Sequence, residues 1–447
     1  MNESVRIPLL LLLVVLIILN LVDFSPNQTP WSKWNEKKVP LEHFYLKNPY
    51  NIWNMAMNNE TMSRQSYFID GMDRFEWYEK ESKLNMTTIK NTTEISLLSA
   101  YEFDHEIVVT LTSWQRKGFR VFCRYLDETD KEIGKMAKSF TYSEYVVYCR
   151  KRAGTKRIGL SVKETGEFEA LQLTDRLTKD LKYTLSMCVA PIYGSEPKWL
   201  MLTEMIEHYK LQGVQHFYLY IHNTSIYDLK VINDYVRTGD VEVHYLLERN
   251  KRDDSQWQMI GITDCVVRSR MESKWVIFAD IDERILMTNY TGRIIDYLEE
   301  VKDEKVGGIQ FRQQWVLKTQ LMPDKYRGKK QIEHWMPTHR WHNSTGIGPE
   351  GHTAKCIIDP LKVFVMWVHN VSAFFPGHGY FLKQLEPGEG LVRHYRDQNL
   401  GDWGAKWLNE TLSFGALRMT DYPEEYLGEL TKNVKRRIHY VYGNKHE

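Results

Sequence analysis

The feature that most constrains the fold is an alternation of strand and helix patterns that begins after Leu181. Apolar runs at 185–190, 214–221 and 241–247 predict three buried strands, and amphipathic segments between them predict two helices. Ser195 is placed to cap the first of these helices. This order is typical of a parallel sheet covered by helices, in which ligands bind at the carboxyl ends of the strands.

A pair of carboxylates follows the next strand pattern along the chain. The apolar run 275–279 leads directly into Asp280 and Asp282. Because side chains alternate along an extended chain, both carboxylates are expected on the same side. Together they can hold a hard divalent cation whose remaining positions take diphosphate oxygens and water. Acidic turns are also common on solvated surfaces, but the position after a buried strand favours the metal interpretation.

Two histidines that end apolar segments further along are candidates to complete this site. His369 follows the run 364–368, and His394 lies in a Val-Arg-His-Tyr-Arg segment. Oxygen ligands plus one imidazole suit Mn²⁺, although either ring can instead be a hydrogen-bonded structural group. Arg393 or Arg396 can neutralise phosphate with a planar set of donors.

Polar residues elsewhere in this half are candidates for nucleotide binding and for base catalysis. The acidic segment 253–257 leads into a predicted helix that carries Asp264 and Arg268, and a polar group there is expected over the nucleotide. Asp at a helix start can also act only as a cap. A direct displacement needs a general base for the acceptor hydroxyl, and Glu350 and Asp359 are two candidates.

Residues 66–180 have a different pattern, with short strands and no catalytic constellation. Their spacing predicts a small antiparallel sandwich, which can be an accessory carbohydrate-binding module or a spacer. Five cysteines imply up to two disulfides and one remaining thiol in an oxidising compartment. Cys123 and Cys149 lie on neighbouring strand patterns and are the preferred pair. No Cys-x-x-Cys pair with zinc-site spacing occurs.

The N-terminus predicts a membrane anchor. Residues 7–22 are almost entirely apolar, Arg6 precedes them, and no small-residue cleavage site follows. This pattern favours a type II anchor with a cytosolic tail at 1–6 and a lumenal stem at 23–65, and a cleaved signal peptide is the alternative. Nine glycosylation sequons agree with a lumenal address: Asn27, Asn59, Asn85, Asn91, Asn223, Asn289, Asn343, Asn370 and Asn409. The net charge of +1 gives no support for a nucleic-acid partner.

The ordered motifs of the C-terminal half resemble those of glycosyltransferase family 92, and most of all its nematode members. The resemblance is carried by Cys188–Gly194, the helix with Glu204, His208 and Tyr209, the segment 213–220, Gln256, Asp264–Cys265, Trp275–Glu283, Lys355 with Pro360, His369 and His394–Arg396. It implies a GT-A-type catalytic domain with a mixed sheet at 183–440, in a Golgi membrane protein. It also implies Mn²⁺-dependent inverting transfer, usually of galactose from UDP-galactose, in β-1,4 linkage to a glycan such as the core fucose of N-glycans.

Carried over by position, the resemblance makes Asp280 and Asp282 metal ligands, with His394 as the third ligand and His369 as its alternative. The residues then expected to bind the nucleotide sugar are Pro191, Tyr193, Gln256, Asp264, Arg268, Asp280 and Arg396. Plant members also carry an N-terminal β-sandwich that resembles a carbohydrate-binding module. The stretch 331–352 departs from the common family form, which bears on acceptor choice.

Two other classes of function were weighed against a transferase. A catalytically silent, lectin-like membrane protein could bind glycans through its aromatic residues, but the intact pair Asp280 and Asp282 disfavours it. A secreted hydrolase needs two carboxylates that face each other across the scissile bond. Two aspartates at one strand end do not provide that arrangement.

Overall fold

The computed structural model describes residues 68–69, 72–73, 76, 78, 80, 94–177, 180–246, 254–398 and 402–443. The predicted tail, anchor and stem, residues 1–65, lie outside these ranges. Within them, no helix is both long and apolar enough to cross a bilayer.

The strands before residue 180 are short. They are β1 (Phe68–Ile69), β2 (Met72–Asp73), β3 (Ile95–Glu102), β4 (Glu106–Ser113), β5 (Arg120–Leu126), β6 (Ala137–Phe140), β7 (Val146–Arg150), β8 (Arg157–Ser161), β9 (Glu169–Gln172) and β10 (Thr174–Asp175). Those after it are β11 (Tyr183–Ile192), β12 (His216–Ile221), β13 (Val241–Tyr245), β14 (Ser273–Ala279), β15 (Glu283–Met287), β16 (Val306–Phe311), β17 (Gln313–Lys318), β18 (Asn343–Ile347), β19 (Lys355–Ile358), β20 (Val363–Met366), β21 (Val371–Phe374), β22 (Phe381–Leu385), β23 (Gly390–Asp397) and β24 (Arg418–Met419).

The helices with described bounds lie after residue 198. They are α1 (Trp199–Leu211), α2 (Ile226–Arg237), α3 (Asp254–Ser269), α4 (Ile294–Glu299), α5 (Lys329–Trp335), α6 (Pro337–Arg340), α7 (Asp402–Leu412) and α8 (Glu424–Tyr442).

Residues 94–177 form two four-stranded sheets, which we call the sandwich. Their strand orders are β10–β3–β4–β7 and β6–β5–β8–β9, and all pairs are antiparallel except β10 with β3. Alternate side chains of both sheets, such as Val109 and Val121, meet in an apolar core. A disulfide between Cys123 on β5 and Cys149 on β7 joins the two sheets, with the Cα atoms 6.0 Å apart.

The C-terminal half contains a seven-stranded mixed sheet with the order β13–β12–β11–β14–β19–β16–β22. The first four strands are parallel, as the strand and helix alternation predicts, and β19 runs antiparallel to both β14 and β16. Residues of α1, α2 and α8 pack on one face of this sheet, the face that carries the side chains of Met187 and Ile277. Residues of α3 pack on the other face, against Tyr218 and Phe278. The strands are buried on both faces, which explains their continuous apolar runs.

A second sheet, with the order β15–β23–β17–β18–β24, continues from the first through a three-residue turn. Strand β14 ends at Ala279 and β15 begins at Glu283, which pairs with His394 of β23. The turn that contains Asp280 and Asp282 therefore lies at the junction of the two sheets.

The predicted start of α1 at Ser195 is wrong. The helix begins at Trp199, and the backbone N–H groups of Lys198 and Trp199 donate to Oδ1 of Asp228 at 2.9 and 2.8 Å. Asp228 itself lies in the first turn of α2, which Ser225 caps. A carboxylate from the following helix thus replaces the local cap, because it satisfies the same orphan donors.

Candidate active site at the junction of two sheets

Hydrogen bonds within the turn hold its two aspartates at the carboxyl edge of β14. Oε2 of Glu283 accepts from the N–H of Asp280 at 2.8 Å, and the N–H of Glu283 donates to the carbonyl of Asp280 at 3.2 Å. Arg284 donates to the carbonyl of Ile281 at 2.8 Å. The side chains of Asp280 and Asp282 remain 30% and 29% exposed, so both carboxylates are accessible from the cleft.

Asp280 is paired with a buried lysine. The Nζ of Lys355 donates to Oδ2 of Asp280 at 2.8 Å and lies 3.1 Å from Oε2 of Glu283, and its side chain is only 3% exposed. Burial alone would lower the pKa of Lys355, but the two carboxylates raise that pKa above its ordinary range. Lys355 is therefore a fixed positive charge at the floor of the site.

Asp282 faces a histidine. The Nε2 of His394 lies 3.3 Å from Oδ2 of Asp282, while Nδ1 lies 3.1 Å from Oε1 of Gln313 and 3.4 Å from Oε1 of Glu283. Two acceptors at Nδ1 favour the tautomer with its proton there, which leaves the lone pair of Nε2 toward Asp282.

The pair of Asp282 and His394 fits a divalent cation. The described residues contain no ready-made group of three or more His, Cys, Asp and Glu side chains that could hold a metal. However, the buried Nε2 of His394 makes no hydrogen bond of good geometry, and the carboxylate oxygen facing it is 3.3 Å away. Two ligands at right angles on an octahedral cation, each about 2.1 Å from it, are roughly 3.0 Å apart. Oδ2 of Asp280 is already engaged by Lys355.

Two further predicted residues lie beside this pair. Burial and the charge of Lys355 hold the pKa of His369 well below its usual range, and its Nδ1 donates to the carbonyl of Ala354 at 3.2 Å. His369 is thus a neutral imidazole next to the lysine rather than a partner of Asp282. The guanidinium of Arg396 lies over the ring of Trp315, 5.6 Å from its centroid, on the strand that carries His394.

A recess with an empty volume of about 290 Å³ opens next to Asp280 and Lys355. Ala190 of β11 and Gly261 of α3 contribute to its wall, and both have little or no side chain. A Cβ on Gly261 would come within 2.8 Å of Pro191, so the glycine permits close packing of α3 on β11.

The predicted donor-binding residues of this region differ in their access to the recess. Pro191 is buried against Gly261, whereas Tyr193 is 47% exposed just beyond β11. Gln256 lies in the first turn of α3, but its side chain is outside the described part.

The structure contradicts the expected nucleotide contacts of Asp264 and Arg268. Asp264 is fully buried and accepts hydrogen bonds from Thr110 at 2.5 Å, from Tyr220 at 2.6 Å and from Arg268 at 3.0 Å. Arg268 also donates to Ser99 on β3. Both side chains point from α3 toward the sandwich. Helix α3 lies between the seven-stranded sheet and the sandwich, so polar groups on the side away from the sheet need partners on the sandwich. The two side chains connect the sandwich to the catalytic sheet.

Of the two base candidates, only Glu350 lies near the site. Asp359 follows β19, whose first residue, Lys355, is at the Asp280 end. Four residues of strand separate Lys355 from Asp359 by roughly 13 Å, and Asp359 pairs with Lys362 at 3.0 Å. Asp359 therefore lies away from the edge of the sheet that carries Asp280, because β19 runs antiparallel to β14.

The loop that contains Glu350 is anchored beside the histidine. Gly348 donates through its N–H to the carbonyl of Gln313 at 2.8 Å, and Gln313 contacts His394. Glu350, two residues further on, is exposed.

Sequence reasoning did not assign roles to three residues that organise the site. Glu283 and Gln313 orient His394, and Lys355 neutralises Asp280. Glu283 directly follows the two aspartates, so its position was a usable signal. No sequence signal pointed to Gln313, because its closeness to His394 comes from the parallel pairing of β17 with β23.

Relatives of known sequence cover part of the chain. It is 22% identical over 226 residues to beta-1,4-galactosyltransferase galt-1 of Caenorhabditis elegans, which is 48% of this chain and 49% of that protein. It is 25% identical over 239 residues to the glycosyltransferase family 92 protein F13G3.3 of the same organism, or 50% of this chain and 44% of that protein. The chain thus spans about half the length of the curated relatives it matches.

Solved structures match only weakly. Glucosyl-3-phosphoglycerate synthase from Mycobacterium tuberculosis is 11% identical, with a TM-score of 0.23 over 58% of this chain and 80% of that chain. Residues 1–349 of S. aureus TarS are 10% identical, with a TM-score of 0.24 over 58% and 72%. Scores this low support no conclusion.

The family match is more extensive. Residues 183–430 match the profile of Glycosyltransferase family 92, which is more than half of the 447 residues and runs from β11 into α8. It includes the acidic turn, Lys355 and His394. The chain therefore belongs to glycosyltransferase family 92.

Proposed function

We propose that this chain is an inverting, metal-dependent glycosyltransferase of GT-A type that uses a UDP-sugar as donor. The observation that carries the proposal is the approach of Asp282 and His394 to one point, 3.3 Å apart, beside the recess at the carboxyl edge of the parallel strands. Ligands of such sheets bind at this edge. A carboxylate oxygen and an imidazole nitrogen whose lone pairs face each other can share a divalent cation.

Each residue of the site has a distinct role in this proposal. Asp282 and His394 hold Mn²⁺, which when bound stabilises the charge that develops on the departing diphosphate. Lys355 keeps Asp280 in place and adds a permanent positive charge. Arg396 offers planar donors to phosphate oxygens. Glu350, on the loop beside Gln313, is the remaining candidate to take the proton of the acceptor hydroxyl.

Galactose is the proposed donor sugar, and a glycan is the proposed acceptor. One relative from C. elegans is named a beta-1,4-galactosyltransferase, which supports UDP-galactose and a β-1,4 bond. The core fucose of N-glycans is the acceptor that the family resemblance suggests. A glycan acceptor also suits two partly exposed rings, Trp407 and His352, which lie against Trp315, the ring neighbour of His394.

The proposed location is the Golgi membrane, with residues 7–22 as a type II anchor and the catalytic half in the lumen. Two features of the described chain support an oxidising, glycosylating compartment. Two disulfides are formed, Cys123–Cys149 and Cys188–Cys265. The sequon asparagines of the described part are all exposed: Asn223, Asn289, Asn343, Asn370 and Asn409.

The test is release of UDP from UDP-galactose by the full chain with Mn²⁺ and an N-glycan acceptor. Asp282→Asn should lower turnover at least about a hundredfold, because charge stabilisation at the leaving group is lost, and EDTA should inactivate the wild type. Asp324→Asn, which changes an exposed aspartate in the same way, is the matched control. Full Mn²⁺-dependent turnover by Asp282→Asn would overturn the metal assignment.

A panel of sugar nucleotides tests the donor separately. UDP-galactose should give the highest rate of UDP release with the wild type. A higher rate with UDP-N-acetylglucosamine or UDP-glucose would refute galactose while leaving the transferase proposal intact.

A further inference from the structure

The buried carboxylate of Glu283 contacts three polar groups of the site: the N–H of Asp280, the ammonium of Lys355 and the ring of His394. Its side chain is 1% exposed, and it pairs in register with His394 across β15 and β23. Oε2 accepts from the N–H of Asp280 at 2.8 Å and lies 3.1 Å from Nζ of Lys355. Oε1 lies 3.4 Å from Nδ1 of His394.

The two oxygens of Glu283 therefore have different tasks. Oε2 accepts from two donors, the backbone N–H of Asp280 and the ammonium of Lys355, and so holds both the turn and the lysine side chain in place. Oε1 faces the ring nitrogen of His394 that points away from Asp282. A carboxylate that accepts a hydrogen bond from a ligand histidine sets which ring nitrogen carries the proton and increases the basicity of the other nitrogen.

We propose that Glu283 is a positioning residue that holds His394 in the tautomer with Nε2 free to bind the cation shared with Asp282. The inference rests on the metal site of the proposed function. In this role the buried carboxylate of Glu283 orients the ligand His394. Glu283 itself contacts neither the donor nor the acceptor.

Glu283→Gln separates this role from simple packing. The amide oxygen must take the Oε2 position, because Asp280 N–H and Lys355 Nζ both require an acceptor there. The amide N–H₂ group then faces Nδ1 of His394 and leaves Gln313 as the one acceptor that the site offers to a proton on Nδ1. The population of the tautomer with its proton on Nε2, which blocks the position of the cation, therefore rises. The shape of the side chain is nearly unchanged.

The experiment measures Mn²⁺ binding to the full chain by electron paramagnetic resonance of free Mn²⁺, without donor or turnover. The Kd of Glu283→Gln should rise about 10- to 100-fold, the usual effect of losing such an outer-shell partner, while the circular dichroism spectrum stays that of the wild type. Glu389→Gln, an exposed position near the other end of the same strand pair, should bind as the wild type does. A Kd within twofold of the wild type for Glu283→Gln would overturn the proposal.

A second pair of variants covers the case in which Glu283→Gln does not fold. Lys355→Gln and Lys355→Gln/Glu283→Gln differ only in Glu283, and the double variant buries no charge at either position. Their Mn²⁺ Kd values should again differ about 10- to 100-fold, and equal values would overturn the proposal.

Asp282→Asn distinguishes failure of the inference from failure of the proposed function. If the wild type binds Mn²⁺ and Asp282→Asn does not, but Glu283→Gln binds normally, only the role of Glu283 is refuted. If the wild type and Asp282→Asn bind Mn²⁺ equally or not at all, the metal site itself is refuted, and the inference with it.

Discussion

Replacing Asp264 by asparagine should destabilise the sandwich and the catalytic sheet together. This carboxylate is fully buried; its Oδ1 accepts from Thr110 at 2.5 Å and from Tyr101 at 3.4 Å, both on the sandwich. Its Oδ2 accepts from Tyr220 at 2.6 Å and from Arg268 at 3.0 Å. An asparagine can turn its oxygen toward Tyr220 and Arg268 and its N–H₂ group toward the hydroxyl oxygens of Thr110 and Tyr101, which can accept. It supplies no negative charge to compensate Arg268, and this lost charge is the source of the expected destabilisation.

The structure sets the size of the effect. Removing one charge of a buried ion pair costs about 3–5 kcal/mol, because the other charge is left uncompensated. Arg268 is only 11% exposed but keeps a second carboxylate partner, Glu242, at 3.1 Å. We therefore expect the low end, a loss of about 3 kcal/mol in the free energy of unfolding. Against typical totals of about 5–15 kcal/mol, this is a large fraction.

Urea unfolding of the full chain, followed by tryptophan fluorescence and circular dichroism, measures this loss. Thr110→Val removes one hydrogen bond to the same carboxylate from the sandwich side and should cost about 1.5–3 kcal/mol. The double variant should cost less than the sum, because both changes disrupt one network. Asp130→Asn breaks an exposed ion pair with Arg157 and is the control, with an expected loss below about 0.5 kcal/mol.

Two results would refute this reasoning. One is a loss below about 1 kcal/mol for Asp264→Asn, which would mean that water or a rearrangement replaces the carboxylate. The other is a separate, early transition of the sandwich with the catalytic sheet unaffected. That behaviour would make the sandwich an independent module, whereas residues 57–447 form one compact unit.

Two further predictions concern stability. Removing the Cys188–Cys265 disulfide by double alanine substitution should lower the free energy of unfolding by about 4.5 kcal/mol, and removing Cys123–Cys149 should lower it by about 3.5 kcal/mol. The difference follows from the sequence separations, which are 77 and 26 residues. Denaturant titrations that give the reverse order would contradict this. Burial and the charge of Arg284 hold the pKa of His208 well below its usual range, so the unfolded chain binds this proton first and stability should fall as the pH drops below about 6.5. Unfolding titrations from pH 7 to pH 5 should show a shallower decline for His208→Gln, and parallel curves would count against it.

The sequence predicted the elements that depend on local pattern. The buried strand before Asp280 and the parallel order of β13, β12, β11 and β14 follow from runs of apolar residues and from the helices between them. Cys123 and Cys149 were paired because their strands were adjacent in pattern, and the structure joins them. These features require only short-range information.

What the sequence did not predict depends on strand direction and on long-range contacts. Asp359 was a base candidate, but the antiparallel course of β19 carries it away from the edge where Asp280 lies. Asp264 was placed over the nucleotide, but α3 has two buried faces, and its polar side chains on the outer face bind the sandwich. Periodicity identifies an amphipathic helix, but it does not say which layer will cover the polar face.

The balance of charge at the site would favour joint binding of the proposed cation and the proposed nucleotide. Asp280, Asp282 and Glu283 bring three carboxylates, and Lys355 and Arg396 supply two fixed positive charges. A diphosphate would add further negative charge beside these carboxylates, where repulsion between like charges opposes its binding. A divalent cation on Asp282 reverses the sign of the local field, so its binding lowers the electrostatic cost of the nucleotide. Linkage requires that the nucleotide lower the cost of the cation by the same amount.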